Sequence, residues 1–156
     1  MGEFAKIFKD SVFNNIHLLK QDIENCSEEV WEKKFGGNYY WDQLLHAIGS
    51  AGLFLGILEV RGAPETPKSS SLNLRQDADP SKAHSKDVAL AFLEETVTFL
   101  SNYFENLDDE VLLNPAEFFG QKTTYGGILS FLAVHLAYHV GACDVILREN
   151  GLEGAL

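Results

Sequence analysis

Apolar residues recur at every third or fourth position along four long stretches of the sequence, and this spacing constrains the fold more than any other feature. It places the apolar side chains of each stretch on one face of an α-helix. No stretch shows a convincing strand alternation, so we predict an all-α fold, a four-helix bundle in a single domain over residues 1–156. The predicted helices run from Phe4 to about Ile23, from Tyr39 to about Arg61, from Asp79 or Ser85 to about Leu107, and from Thr123 or Thr124 to about Asn150.

The connections between these helices differ in length. Ser27 can cap a short helix that Gly36-Gly37 would stop, while Gly62-Ala63-Pro64 should end the second long helix. The stretch Pro64–Asp79 is rich in proline, serine and charge, so we expect a long connection between helices two and three that permits a crossover topology. The second helix is apolar nearly all round and should lie deep in the core. Its glycines need a packing reason, and we expect close helix contact at Gly49, Gly52 and Gly56.

The charge balance excludes some partners. With 23 acidic and 12 basic residues the formal net charge is -11, so the chain should repel phosphate backbones and anionic lipid. The apolar run Leu44–Val60 is too short and interrupted for a membrane span, and the N-terminus lacks a signal pattern, so we expect a cytoplasmic protein. Cys26 and Cys143 lie far apart without a CxxC spacing, which predicts two reduced thiols.

Three histidines carry the most specific chemical pattern. His135 and His139 are four residues apart, so both imidazoles lie on one side of the last helix, one turn apart. His46 lies among large apolar residues in the second helix and needs a polar partner if it is buried. If these two helices are neighbours, the three imidazoles can hold one zinc- or nickel-sized ion and leave a coordination position open. Alternatively, the histidines are hydrogen-bonded core residues.

Two neighbouring residues have open roles. Asp42 lies one turn before His46 and could orient its imidazole, but a carboxylate at a helix start is as easily a solvated dipole partner. Cys143 lies one turn after His139 and could bind zinc as a thiolate, although a free cysteine is more often a buried apolar residue.

The remaining candidates receive no catalytic role. Tyr125 and Tyr138 could bring a hydroxyl near the metal, but Tyr138 falls on a different helical face and is interpreted as packing, and surface positions explain His17 and His84. A carboxylate-bridged di-iron centre is excluded because neither His135 nor His46 has a glutamate three residues before it.

The motif around these histidines resembles the DinB-like superfamily. It comprises the HxxxHxG run of His135, His139 and Gly141, with TTYGGIL before it, ILREN-G after it, and LLHAI in the second helix. The resemblance covers nearly the whole chain in order and spacing. It implies a four-helix bundle, often homodimeric, in which His46, His135 and His139 bind a divalent metal, nickel or zinc.

The resemblance also implies a class of activity. Some members are transferases or isomerases that use low-molecular-weight thiols, so we expect a metal-dependent, thiol-using enzyme acting on a small substrate. One departure is visible, because relatives often have a polar residue, commonly Gln, where Ala142 stands here. The alternative is a non-enzymatic dimeric assembly module in which the histidines are structural.

Overall fold

Four long helices, one short helix and two small hairpins make up the part of the chain described by this computed structural model, residues 1–67 and 83–156. The predicted all-α helical bundle is confirmed. The helices are α1 Glu3–Asn25, α2 Glu28–Trp31, α3 Tyr40–Ile57, α4 Lys86–Glu105 and α5 Tyr125–Glu149. The first hairpin pairs β1 Lys34–Phe35 with β2 Asn38–Tyr39, and the second, which follows a 3-10 helix at Asp109–Leu113, pairs β3 Pro115–Phe118 with β4 Gln121–Thr124.

The long helices pack as a square in which chain neighbours are not always spatial neighbours. Helix α1 packs mainly against α4 and α5, and α3 packs against the same two helices, so α1 and α3 occupy opposite corners. The adjacency of α3 and α5 is the one on which the predicted metal site depends. The apolar stripes meet in one core, whose largest fully buried side chains include Ile16, Leu19, Trp31, Tyr40, Trp41, Leu44, Ile48, Leu100 and Phe104.

Side-chain caps set three helix starts as predicted. The hydroxyls of Ser27, Ser85 and Thr124 each accept a hydrogen bond from the backbone N–H three residues later. Helix α4 therefore begins after Ser85. The alternative start at Asp79-Pro80, and most of the predicted connection Pro64–Asp79, lie outside the described residues.

Helix α3 ends one turn earlier than the glycine-based prediction. The N–H of Val60 donates to the carbonyl of Leu55, and the N–H of Glu59 donates to the carbonyl of Gly56. This pair of bonds is the Schellman motif, which requires a left-handed residue, and Glu59 supplies it with φ 61°. The prediction looked for a glycine in this role and placed the end at Gly62, whereas the last helical residue is Ile57.

The two hairpins were not predicted. Their strands are two to four residues long, too short to show an alternating pattern. Gly36-Gly37, interpreted as a helix stop, is the turn between β1 and β2, and both residues have positive φ. The second hairpin turns at Phe119-Gly120 and leads directly into α5.

The glycines of α3 also differ from the prediction. A side chain at Gly49 would meet Thr66, and one at Gly52 would meet Ala63, so their close neighbours belong to the segment after the helix. Among the described residues, no atom lies within 4 Å of a Cβ built on Gly56. Gly49 and Gly52 therefore approach the segment after α3, whereas the prediction expected another helix.

Among the described residues, α5 alone has the length and apolar composition to cross a bilayer, and 44% of its apolar window is buried in the fold. It packs against α1 and α3. These features are typical of the core helix of a bundle, so they are weak evidence for a membrane span.

Candidate metal centre

Helices α3 and α5 bring the three predicted histidines into one cluster. One ligand nitrogen from each of His46, His135 and His139 lies within 4.8 Å of the other two. The ring centroids are 5.3 Å apart for His46 and His135, 4.9 Å for His46 and His139, and 4.7 Å for His135 and His139. The turn of α5 sets the last spacing, and the packing of α3 on α5 sets the other two.

The size of the cluster fits a divalent ion. Nitrogens bound tetrahedrally at about 2.1 Å from zinc lie about 3.4 Å from one another. To contract to that size from 4.8 Å, each nitrogen must move inward by less than about 1 Å, which small side-chain rotations can supply. Nε2 of His135 and Nδ1 of His139 are buried and accept no hydrogen bond from the described residues, so both lone pairs are available to an ion.

The surroundings keep His135 and His139 neutral. Burial, with His46 and His135 close by, lowers the pKa of His139 to about 3. Burial and His46 likewise lower the pKa of His135. Neutral imidazole is the form that binds a metal ion, so His135 and His139 can bind one at neutral pH without first losing protons.

Phenylalanine rings close one side of the cluster. Phe54, Phe118 and Phe131, which we call the aromatic wall, contact one another with centroids 4.8 to 5.5 Å apart. Phe131 stacks on the imidazole of His135 at 6.3 Å and 19°, and Phe54 meets the same imidazole edge-on at 5.5 Å. The wall therefore holds the orientation of His135 and supplies an apolar surface beside it.

Asp42 and Cys143 are both fully buried, but neither belongs to the cluster of ligand atoms. Burial raises the pKa of the Cys143 thiol well above its usual range, and the neighbouring Asp22 and Cys26 raise it further. Cys143 is therefore a protonated core thiol beside Tyr40, outside the group of ligand nitrogens. Asp42 stays one turn before His46 on α3, fully shielded from solvent, so the solvated role considered for it is wrong.

The surroundings of several aromatic side chains near the site differ from the prediction. The Tyr138 ring is edge-on to His139 at 5.2 Å and 70% exposed, so it borders the site instead of packing in the core. His17 is exposed as expected, whereas His84 is only half-exposed, because its ring is edge-on to Trp41 and its Nε2 is shielded from solvent. The four-residue spacing of Phe131 and His135 could have revealed Phe131, whereas no sequence pattern links Phe118 to the histidines.

A cavity of ≈ 420 Å³ adjoins the aromatic wall and shares Phe118 and Phe131 with it. Its other lining residues are Phe119, Gln121, Lys122, Thr123, Gly127 and Ile128. Two cavities of ≈ 410 Å³ elsewhere are lined by none of the three histidines and by no residue of the wall. The cavity at the second hairpin thus lies next to the candidate site.

A family comparison agrees with this arrangement. The model of the DinB family matches residues 3–155, which include all four long helices and the histidine cluster. The chain belongs to the DinB family. No curated protein sequence matches this DinB family member significantly.

Solved structures with the same fold include two DinB-like proteins. One, from Bacillus cereus, has a TM-score of 0.72 and 17% sequence identity, with 93% of this chain and 91% of the other covered. The other, from Bacillus subtilis, has a TM-score of 0.60 and 21% identity, with coverage of 92% and 91%. At these identities the likeness concerns the fold. The DinB bundle is therefore retained while most side chains differ.

Proposed function

We propose that this DinB family member binds one divalent metal ion, nickel or zinc, through His46, His135 and His139. We further propose that it is a thiol-dependent transferase or related enzyme acting on a small substrate. The observation that carries the proposal is the convergence of three imidazole nitrogens within 4.8 Å of one another. Three neutral nitrogen ligands with a free fourth position are typical of catalytic zinc, whereas structural zinc has four protein ligands.

The roles of the residues follow from their placement. The imidazoles would hold the ion, and the aromatic wall would keep bulk water from the His135 side. The bound ion would act as a Lewis acid, favouring the thiolate form of a small thiol, or hydroxide over water. The buried Cys143 is a poor choice for the reacting thiol because burial keeps it protonated, so the nucleophile would come from a free thiol.

The proposed setting is the cytoplasm, where small thiols are kept reduced. The two cysteines support this because both are free and buried. The net charge of -11 supports a small-molecule substrate over nucleic acid or an anionic membrane.

Metal analysis and a conjugation assay test the two halves of the proposal separately. Protein reconstituted with nickel or zinc and then desalted should retain about one ion per chain. The loaded protein is then mixed with cysteine, glutathione or coenzyme A and 1-chloro-2,4-dinitrobenzene. Attack of the thiolate on the ring carbon forms a C–S bond and releases chloride, while the thiol proton goes to buffer. Retained metal without rate enhancement for any thiol would limit the function to metal binding.

Exposed apolar side chains on α5 favour a second candidate, a homodimeric assembly module with a structural metal. Val134, Tyr138 and Val145 are 65%, 70% and 53% exposed and follow one another at helical spacing. Light scattering would detect a dimer, and Val134→Glu should dissociate it if this face is the interface. Water-proton relaxation of copper-loaded protein separates the roles, because an exchanging bound water favours catalysis and a closed shell favours structure.

A further inference from the structure

The cavity beside the aromatic wall has one apolar side and one polar side. Phe118, Phe119, Ile128 and Phe131 supply the apolar side, while Gln121, Lys122 and Thr123 supply the polar side. Its volume of ≈ 420 Å³ is within the range of small-ligand sites, roughly 300 to 1,000 Å³. A ligand with a flat ring and a polar substituent would fit these two sides.

The charge of the cavity is unusual in this acidic chain. Lys122 is the one charged residue among the described residues that line it, and Gly127 and Ile128 belong to the first turn of α5. That turn contains no acidic residue, so no carboxylate of its own offsets the positive N-terminal end of this 25-residue helix. Glu117 is opposite Lys122 in the hairpin register, but no ion pair joins them in the described part of the chain. Lys122 and the dipole of α5 are thus the two features of the cavity that attract an anionic group.

Phe119 is the least expected residue of the cavity. It is 88% exposed, and it has φ 49° at the first position of a two-residue turn. This turn requires positive φ at both positions, so Asn-Gly is strongly preferred there and a bulky side chain is strained. The chain thus keeps a solvent-exposed aromatic ring at a backbone position that disfavours it. Such strain is retained mainly at binding and catalytic sites.

We propose that this cavity binds a small planar aromatic acid, with its ring against Phe119, Phe118 and Phe131 and its anionic group toward Lys122 and the start of α5. The placement of this ligand as the substrate of the histidine site rests on the proposed function, because Phe118 and Phe131 belong to both the cavity and the wall beside His135. The binding itself does not require the metal.

The first test compares 2-naphthoate with its neutral analogue 2-naphthamide by NMR titration of the metal-free full chain. Phe119→Asn should weaken naphthoate binding at least five-fold while leaving the melting temperature unchanged or higher, because asparagine suits the turn. Phe4→Asn removes another exposed phenylalanine, 64% exposed on α1, and should leave the affinity unchanged. Lys122→Gln should reduce the preference for naphthoate over naphthamide at least three-fold. Equal affinity in wild type and Phe119→Asn, or equal affinity for the two probes, would overturn the proposal.

The second test places the probe relative to the histidines. In cobalt-loaded protein the naphthoate protons should broaden strongly compared with zinc-loaded protein, because the cavity shares Phe118 and Phe131 with the aromatic wall beside His135. Tight cobalt binding without broadening of bound naphthoate would overturn the substrate placement. If the chain binds no cobalt, the proposed metal function fails instead, and the metal-free titrations still decide whether the cavity binds aromatic acids.

Discussion

The imidazole rings of His46 and His139 lie with their centroids 4.9 Å apart, although the first belongs to α3 and the second to α5. This contact depends on the packing of two helices that the chain joins through α4 and the second hairpin. His139 is the most buried of the three histidines, with 2% of its surface exposed.

Replacing His139 should therefore empty the site. His139→Ala should reduce retained nickel or zinc from about one ion per chain to near none, since two imidazoles hold an ion far less tightly than three. Metal at 100 times its dissociation constant should stabilise the wild type by about 2.7 kcal/mol and the variant by much less. Elemental analysis and thermal melts measure both effects, and the exposed His17→Ala is the matched control. Full metal retention in His139→Ala would contradict the three-histidine site.

The lowered pKa of His139 predicts a pH-dependent stability in the metal-free protein. The folded pKa of about 3 lies below the ordinary value of 6.5, so between these values the unfolded chain binds a proton that the folded chain does not. Stability from this residue is thus present above about pH 6.5 and is lost as pH falls toward 3. Relative to wild type, the unfolding free energy of His139→Gln should rise by about 1 to 2 kcal/mol when the pH is lowered from 7 to 5. Urea unfolding at both pH values measures this gain, and no change in the difference would contradict it.

A buried carboxyl group gives the opposite pH dependence. Asp22 is fully buried, and burial together with the nearby Asp144 raises its pKa from 3.8 to about 7. The folded chain therefore holds a proton that the unfolded chain has released, and stability from Asp22 falls as pH rises from about 4 to 7.

The change in unfolding free energy caused by Asp22→Asn should consequently be about 1 to 4 kcal/mol more favourable at pH 8 than at pH 4. Urea unfolding at the two pH values measures the difference. The exposed Asp10→Asn is the control and should change by no more than about 0.5 kcal/mol, since Asp10 forms an exposed pair with Lys6. A pH-independent effect of Asp22→Asn would show that its carboxyl does not titrate abnormally.

Replacing glutamate by glycine should have opposite effects on stability at the end of α3 and inside α4. Glu59→Gly should stabilise the fold by about 0.5 to 1 kcal/mol, because Glu59 has a left-handed backbone that glycine adopts without strain. Glu94→Gly, at an exposed position inside α4, should destabilise it by about 1 kcal/mol. Denaturant unfolding measures both variants, and a loss of stability in Glu59→Gly would argue against the Schellman end.

Local patterns in the sequence predicted most of the helices correctly. The spacing of Phe4, Phe8 and Val12, and the caps at Ser85 and Thr124, depend on interactions within about one turn, which sequence alone records. The same locality explains the errors. The left-handed residue that ends α3 is Glu59, and the turn before β4 contains Phe119, and neither residue type signals its conformation.

The sequence by itself determined that His135 and His139 share one side of a helix, because a fixed helical repeat relates residues four positions apart. Only the tertiary structure decided that His46 joins them, that Cys143 stays in the core, and that Phe118 lies beside Phe131. These relationships depend on how α3, α5 and the second hairpin pack. Packing of this kind is set by the summed burial of many apolar side chains, so no short stretch of sequence specifies it.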